Sequence, residues 1–325
     1  MIFFVTFLRA LAACFITNAH YTGIYPTDLI ANGGLIGDVL FFAVSGFCLY
    51  NVKYDLNAIG FAQWYGRRIW RIYPPVIIMT AIYMFVGAYA LSAEMGAAWW
   101  YVYPTNYHFV ASIIVLYIPL FFIVKIPALN KRLVLIMIGL AVVWLLVYML
   151  AYDHSYYHID KVREPMIRFL FMESMLLGAW FRQNDQKLRN KFKWFYPIAT
   201  FLSFLAYFAS KLLFVHMMNL ASFQFLNQIA IFLVLFFLFR TFCGLDGMLE
   251  KAPIRVKKMI QLLSDITLEI YLVQYVIIDA VRNLNLMFPL NWLVLTSSIL
   301  LSAFILHKVW GLMSGSVDKM LRGNT

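Results

Sequence analysis

The chain has 325 residues, of which 63% are hydrophobic and 13% are charged, and its formal net charge is +11. An average soluble domain is about half apolar and about a quarter charged, so this composition excludes a soluble globular protein, a disordered chain and a coiled coil. The sequence therefore predicts an integral membrane protein of the all-α class, a helical bundle forming a single domain over residues 1–325. In such a protein we expect the positive charge to set the orientation rather than to bind nucleic acid.

Apolar runs separated by polar breaks mark the candidate membrane spans, since a helix needs about 20 apolar residues to cross a bilayer. In chain order they predict ten spans, roughly 2–19, 35–52, 73–92, 108–124, 133–151, 165–181, 195–215, 223–242, 264–282 and 291–310. With the N-terminus inside the cell, the inner segments carry most of the 26 Lys and Arg residues. The positive-inside rule therefore predicts that both termini are cytoplasmic.

Arg9 lies within the first predicted span, and His20 follows at its outer end, in RALAACFITNAH. Eleven residues of helix make three turns, so the two side chains share one face about 16 Å apart along the axis. An ionisable side chain within a span costs about 3 kcal/mol or more, which makes Arg9 a candidate functional residue. If the pair acts together, it faces one water-accessible tunnel. Alternatively, Arg9 snorkels to the inner surface and His20 is an interface residue.

The second predicted span, GLIGDVLFFAVSGFCLY, runs in the opposite direction. Asp38 is therefore expected at the membrane level of His20. A carboxylate near an imidazole fixes its tautomer and increases its basicity, as a general base for a hydroxyl requires. Ser45 lies deeper and is expected, with Gly46, to allow close helix packing, with a role as nucleophile as the alternative.

The stretch YGRRIWRIYPP is predicted to lie on the cytoplasmic side, ahead of the third span. It contains Arg67, Arg68 and Arg71, and we expect Pro74 and Pro75 to break the helix. One Arg guanidinium can bind two phosphate oxygens at once and can stack on a planar ring, which favours a phosphorylated nucleotide as ligand. Anchoring to anionic lipid is the alternative.

Further polar residues lie in later spans. Glu173 is expected either to neutralise Arg9 or to line a cavity. His108 begins the fourth span and Tyr117 lies within it, in HFVASIIVLYIPL. These residues are candidates for the wall of a cavity, although single polar residues in a span more often bond to a neighbouring helix.

The longest polar outer loop, 152–164, contains His154 and His158, which are four residues apart. This spacing could hold a metal ion on a helix, but neither a third ligand nor a helical cap is evident. The pattern therefore favours a solvated loop, and no metal site is predicted.

Together these motifs resemble the acyltransferase 3 family of multi-spanning bacterial membrane enzymes. The resemblance rests on Arg9 and His20 with ten residues between them, followed in the family's order by GDVLFFAVSGF, YGRRIWRIYP and HFVASIIVLYIPL. The segment SDITLEIYLVQ, which contains Glu269, is similar to the family's late Ser-aliphatic-Tyr-Leu segment. The motifs span most of the chain.

Members of this family transfer acyl groups, most often acetyl from acetyl-CoA, to hydroxyls of polysaccharide or lipid-linked sugar. The resemblance implies that His20 is the catalytic base and that Arg9 supports the donor or the developing charge. It implies that Arg67, Arg68 and Arg71 help to hold CoA. Direct transfer and a relay through an acyl-His20 intermediate both suit these residues. The implied partners are a glycan acceptor and membrane lipid, and the implied location is the bacterial cytoplasmic (inner) membrane.

Two positions depart from the family pattern. Gln274 stands where the late segment commonly has His, so it is given no catalytic role. Asp38 precedes Val39, whereas the family's acidic residue often follows the Val, a rotation of about 100° on a helix. The rival function is a transporter or flippase of lipid-linked sugar, in which Arg9 and Glu173 are charges along the pathway.

Overall fold

The computed structural model describes residues 2–50, 60–88, 108–161 and 166–322, with side chains described as far as residue 312. Over these ranges the protein is helical and has no strand. The longer helices are α1 (Phe3–Ala19), α2 (Gly34–Tyr50), α3 (Phe61–Phe85), α4 (His108–Lys125), α5 (Leu133–Ala151), α6 (Ile167–Gln183), α7 (Phe195–His216), α8 (Phe225–Gly244), α9 (Ile254–Asp265), α10 (Thr267–Arg282) and α11 (Leu290–Arg322). Shorter helical turns lie between them, at Pro127–Asn130, Asp185–Leu188, Met218–Phe223 and Asp246–Leu249.

Each of the ten predicted spans overlaps one of these helices. Among the described residues, α4, α5, α7, α8 and the first part of α11 are long and apolar enough to cross a membrane. Helices α9 and α10, bent by 69° at their junction, make a sixth span if they count as one. Helices α1 and α2 are apolar but have only 17 residues each. The chain is therefore a multi-pass membrane protein, whereas the ten spans and the cytoplasmic termini stay predictions.

Helix α3 begins earlier than the sequence predicts. Arg67, Arg68 and Arg71 therefore lie within this helix rather than in a loop before it. The prediction that Pro74 and Pro75 break the helix is wrong, because both lie inside α3. The preceding residues, rich in Arg and Ile, have adequate helix propensity. In membrane helices the carbonyls freed by proline can be satisfied by neighbouring groups.

Helix α2 occupies the centre of the bundle, where it packs closely against α6 and also contacts α1. A Cβ atom at Gly46 would overlap the carbonyl of Met175, and one at Gly178 would overlap the carbonyl of Ala43. Only glycine permits this approach of the two backbones, as small residues do at membrane helix interfaces. The expectation that Gly46 packs against a helix is confirmed. This contact fixes the face that α2 turns toward α1.

A buried carboxylate fixes the start of α1. The backbone N–H of Phe4 donates a hydrogen bond to Oδ1 of Asp246 at 2.8 Å, and Arg189 lies 3.6 Å from Oδ2. The first N–H groups of a helix have no partner within it, and the helix dipole favours a negative charge there. Asp246 therefore sets the depth of α1, and with it the positions of Arg9 and His20.

Hydrogen bonds join the segment that follows α1 to the first turns of α11. Asn291 donates to the carbonyl of Ile24 at 2.7 Å, and the hydroxyl groups of Tyr21 and Thr296 lie 3.1 Å apart. Helix α10 packs beside both α11 and α1. These contacts place α1, α10 and α11 around a common space.

Candidate functional site

Two cavities lie one after the other along the same side of α1. After the predicted orientation, we call the cavity lined by Arg9, with a volume of about 240 Å³, the inner cavity, and the cavity lined by His20, with about 260 Å³, the outer cavity. Phe109 of α4 lines both. Arg9 and His20 therefore face the same interior path, as their spacing predicts, and neither points away from it into lipid.

The inner cavity brings together residues predicted from four different motifs. These are Arg9, Ser45, Arg68, Arg71 and Tyr117. The guanidinium of Arg9 lies 3.7 Å from Sγ of Cys48, and that of Arg68 lies over the ring of Trp64 at 5.6 Å. Because three guanidinium groups line it, the inner cavity is suited to phosphate or another anionic group.

Arg67 and Glu173 lie outside both cavities. Arg67 is exposed, because on α3 it is turned about 100° from Arg68. Glu173 is half-buried on α6 and makes no ion pair with Arg9, so the expected neutralisation of Arg9 is wrong. The reason is topological, since α6 packs mainly on α2.

The outer cavity contains three predicted residues, His20, Asp38 and His108. Asp38 is 8% exposed, but it makes no hydrogen bond or ion pair with His20. The two side chains instead line the same space from α2 and from the end of α1. The expected direct contact between carboxylate and imidazole is therefore absent, whereas their shared level in the bundle is confirmed.

His20 lies one residue beyond the end of α1, against α10. Its Nε2 lies 3.4 Å from the hydroxyl of Tyr275, and the two rings meet edge to face with centroids 5.0 Å apart. The guanidinium of Arg282 donates to the carbonyls of His20 and Thr22. Burial, with a smaller contribution from Arg282, lowers the pKa of His20 to about 4. The imidazole is therefore neutral near pH 7 and can accept a proton.

An ion pair that the sequence did not predict also lines the outer cavity. Nζ of Lys211 lies 2.7 Å from a carboxylate oxygen of Asp160. Lys211 lies within a predicted span, so the general rule for intramembrane charges would have identified it. With Asp38 and Tyr275, this pair gives the outer cavity a wall that can exchange hydrogen bonds with a polyhydroxylated ligand.

Aromatic side chains separate the two cavities. The rings of Phe41 and Phe109 meet edge to face with centroids 4.7 Å apart. The ring centroids of Phe109 and Tyr271 are 5.5 Å apart. The void between them measures about 10 Å³, at the lower limit of the space that one water molecule needs. We call Phe41, Phe109 and Tyr271 the aromatic constriction. It divides the expected tunnel into two chambers.

The inner cavity also contains an acid–base pair. Nδ1 of His307, on α11, lies 2.8 Å from Oε1 of Glu269, on α10. Glu269 lies in a motif that the sequence analysis identified, but no role was predicted for it. His307 was not predicted. Since His307 lies within the predicted span 291–310, the rule for ionisable residues in a span would have identified it.

The two histidines that follow α5, His154 and His158, serve packing. The ring of His158 stacks with those of Tyr152 and Tyr156, and His158 is buried. A ring nitrogen of His154 lies 2.9 Å from the carbonyl of Tyr148. The expectation of a solvated loop is therefore wrong at His158. In the described part of the chain, no three His, Cys, Asp or Glu side chains are grouped as metal ligands.

No curated protein and no solved structure matches this sequence. The sequence model of the acyltransferase 3 family, described as an acyltransferase domain, matches residues 2–308. Because this match covers nearly the whole chain and includes every residue that lines the two cavities except Trp310, the protein belongs to the acyltransferase 3 family of membrane acyltransferases.

Proposed function

We propose that the protein is a membrane O-acetyltransferase that transfers acetyl from acetyl-CoA to a hydroxyl of a cell-surface polysaccharide or lipid-linked glycan. Membership of the acyltransferase 3 family supports acyl transfer as the reaction. The observation that carries the rest is the arrangement of a cationic inner cavity and a histidine-bearing outer cavity on either side of one aromatic constriction.

The inner cavity suits the acyl donor. Acetyl-CoA combines phosphate groups with a long, thin pantetheine arm that ends in the thioester. Arg71 lies at an exposed position where it can bind phosphates, and Arg68 and Arg9 lie farther into the cavity. A volume of about 240 Å³ is too small for the whole molecule, so the nucleotide is expected at the mouth and the arm inside.

The outer cavity suits a sugar hydroxyl. Its wall offers the carboxylates of Asp38 and Asp160, the ammonium of Lys211 and the hydroxyl of Tyr275. These groups both donate and accept hydrogen bonds, as a sugar requires. His20 lies among them in its neutral form.

In the proposed reaction, His20 removes the proton of the acceptor hydroxyl, and the oxygen attacks the carbonyl carbon of the thioester. The C–O bond forms, the C–S bond breaks, and CoA leaves as a thiolate. Arg9 is proposed to stabilise the charge that develops on the donor side. Since the constriction separates the two cavities, direct transfer requires the rings of Phe41 and Phe109 to move apart. A relay through acyl-His20 requires the same movement.

The orientation is part of the proposal. With both termini in the cytoplasm and ten spans, the inner cavity opens toward cytoplasmic acetyl-CoA and the outer cavity toward glycan on the far side of the bacterial cytoplasmic membrane. The protein then modifies a glycan that has already crossed, or is anchored in, the outer leaflet.

Labelled acetyl-CoA tests the proposal. Membrane vesicles that contain the protein and the native glycan are expected to place label on the glycan as an alkali-labile ester, and vesicles with His20→Ala are not. A transporter or flippase would move the sugar without labelling it. Unlabelled glycan in the presence of folded wild-type protein would overturn the proposal.

A further inference from the structure

The pair of Glu269 and His307 forms part of the wall of the inner cavity. Glu269 has 6% of its side chain exposed, and His307 has 39% exposed. The carboxylate engages Nδ1 of His307 at 2.8 Å, which leaves Nε2 without a hydrogen bond to the described protein atoms. The imidazole is therefore oriented from one side and open on the other.

Unpartnered polar atoms indicate that the surroundings of this pair receive a ligand. Oε2 of Glu269, Oγ of Ser264 and Nε of Arg68 are buried and make no hydrogen bond within the described part of the chain, and all three residues line the inner cavity. Leaving a buried polar group unpaired is destabilising, so proteins seldom retain several together without a partner. The amide and thioester groups of an acyl-pantetheine arm would supply the missing partners.

The position of Glu269 along the path indicates which part of the donor lies nearby. Its neighbours Thr267 and Leu268 line both the inner cavity and the narrow void at the aromatic constriction. An acyl group about to pass the constriction must lie at this level. The sulfur of the thioester then lies within the inner cavity, on the side of the constriction where His307 is found.

The other charged groups of the cavity do not supply a proton to that sulfur. The guanidinium groups of Arg9, Arg68 and Arg71 can stabilise a thiolate, but arginine does not release its proton in proteins. Asp265 also lines the cavity, and its carboxylate accepts a hydrogen bond from Gln261 at 2.7 Å. A histidine exchanges protons in the physiological range and can protonate an alkyl thiolate.

We propose that His307 is the general acid that protonates the departing CoA thiolate, and that Glu269 is its positioning residue. This inference rests on the proposed function. As the C–S bond breaks, its electron pair leaves on sulfur, and the proton on Nε2 of the imidazolium moves to that sulfur to give the CoA thiol. His307 then takes a proton from water at the cytoplasmic mouth. The proton of the acceptor hydroxyl departs separately, through His20.

Chemical rescue tests the role of His307. Acetylation of native glycan from acetyl-CoA is measured in membrane vesicles with His307→Ala, with and without added imidazole. The expected loss is about 100-fold, and imidazole is expected to restore much of it, because the side chain is open to the cavity. His216→Ala, an exposed histidine at the end of α7, is the matched control and is expected to match wild type with or without imidazole.

A second pair of variants separates chemistry from folding. His307→Gln can still donate to Glu269 but cannot transfer a proton, so it is expected to fold, to bind acetyl-CoA with an unchanged KM and to lose kcat. Glu269→Gln is expected to lower kcat with little change in KM, as a positioning residue should. Wild-type activity in His307→Gln, or failure of imidazole to rescue a folded His307→Ala, would overturn the inference while leaving the proposed function intact. A wild-type protein that transfers no acetyl group would overturn the proposed function instead.

Discussion

The rings of Phe41 and Phe109 meet edge to face with centroids 4.7 Å apart, between the cavity that contains Arg9 and the cavity that contains His20. This contact closes the path between the two charged ends of the site. In the proposed reaction an acetyl group has to pass it. In that reaction the closed contact would keep water and ions from crossing between transfers and would limit the size of the acyl group.

A larger side chain at the aromatic constriction narrows the path and is expected to slow acetyl transfer without weakening the binding of acetyl-CoA. Phe41→Trp adds a second ring where the void is only about 10 Å³. We expect kcat for acetylation to fall about tenfold or more and KM for acetyl-CoA to change less, because the added ring lies at the end of the inner cavity where the acyl group must pass. Phe201→Trp, on the exposed face of α7, is the matched control. A higher KM with unchanged kcat would place this contact in donor binding instead.

The arginines of α3 are expected to differ in effect. Arg68→Ala removes a guanidinium that lines the inner cavity and should raise KM for acetyl-CoA about tenfold, whereas KM for the acceptor is unchanged. Arg67→Ala is expected to have a smaller effect, since Arg67 lies outside the cavity. Steady-state kinetics with Arg255→Ala, an exposed arginine of α9, provide the control. If Arg68→Ala changed only the KM for the acceptor, the inner cavity would bind the acceptor and not acetyl-CoA.

The pH dependence follows from the environment of His20. Burial and Arg282 lower its pKa to about 4, so the imidazole is expected to stay neutral as the pH falls from 8 to about 5. A general base loses activity only when it becomes protonated, so the limb assigned to His20 should appear near pH 4. The pH profile of kcat over KM for the acceptor, measured with Arg282→Gln alongside, tests this assignment. Because that variant removes a cation, its limb should move to higher pH, and an unmoved limb would contradict the assignment.

The close approach of α2 and α6 is expected to tolerate no side chain. Gly46→Ala and Gly178→Ala each place a methyl group on an opposing carbonyl and should lower the free energy of unfolding by about 1–3 kcal/mol. Gly139→Ala, on α5, meets no atom of the described residues within 4 Å and is the control. It should be neutral or stabilising, because alanine favours a helix over glycine. Equal thermal stability of all three variants in detergent would show that the α2 and α6 contact is looser than described.

Much of the helical frame follows from composition and hydrophobic runs alone, because a bilayer imposes one length on every span. The third span shows where this rule fails. Arg67, Arg68 and Arg71 interrupt the apolar run, so the start of α3 could not be found from hydropathy. The helix nevertheless includes them, since arginine is a good helix former and its charge can lie in a polar cavity.

Residues of the site could be predicted from the sequence where helical spacing or the direction of a span determines their position. The spacing of Arg9 and His20 placed both on one path, and the direction of the second span placed Asp38 at the level of His20. Contacts between distant helices were not predictable in the same way. The pairing of Glu269 with His307 and the closure between Phe41 and Phe109 depend on how helices pack, and a single sequence does not contain that information.

The most direct test of the account is a mass-spectrometric comparison of surface glycan from cells that carry wild-type protein, no protein, or His20→Ala at matched membrane levels. We expect a mass increase of one acetyl group per modified sugar only in the wild-type cells. The same increase in cells that carry only His20→Ala would contradict the claim that this imidazole activates the acceptor.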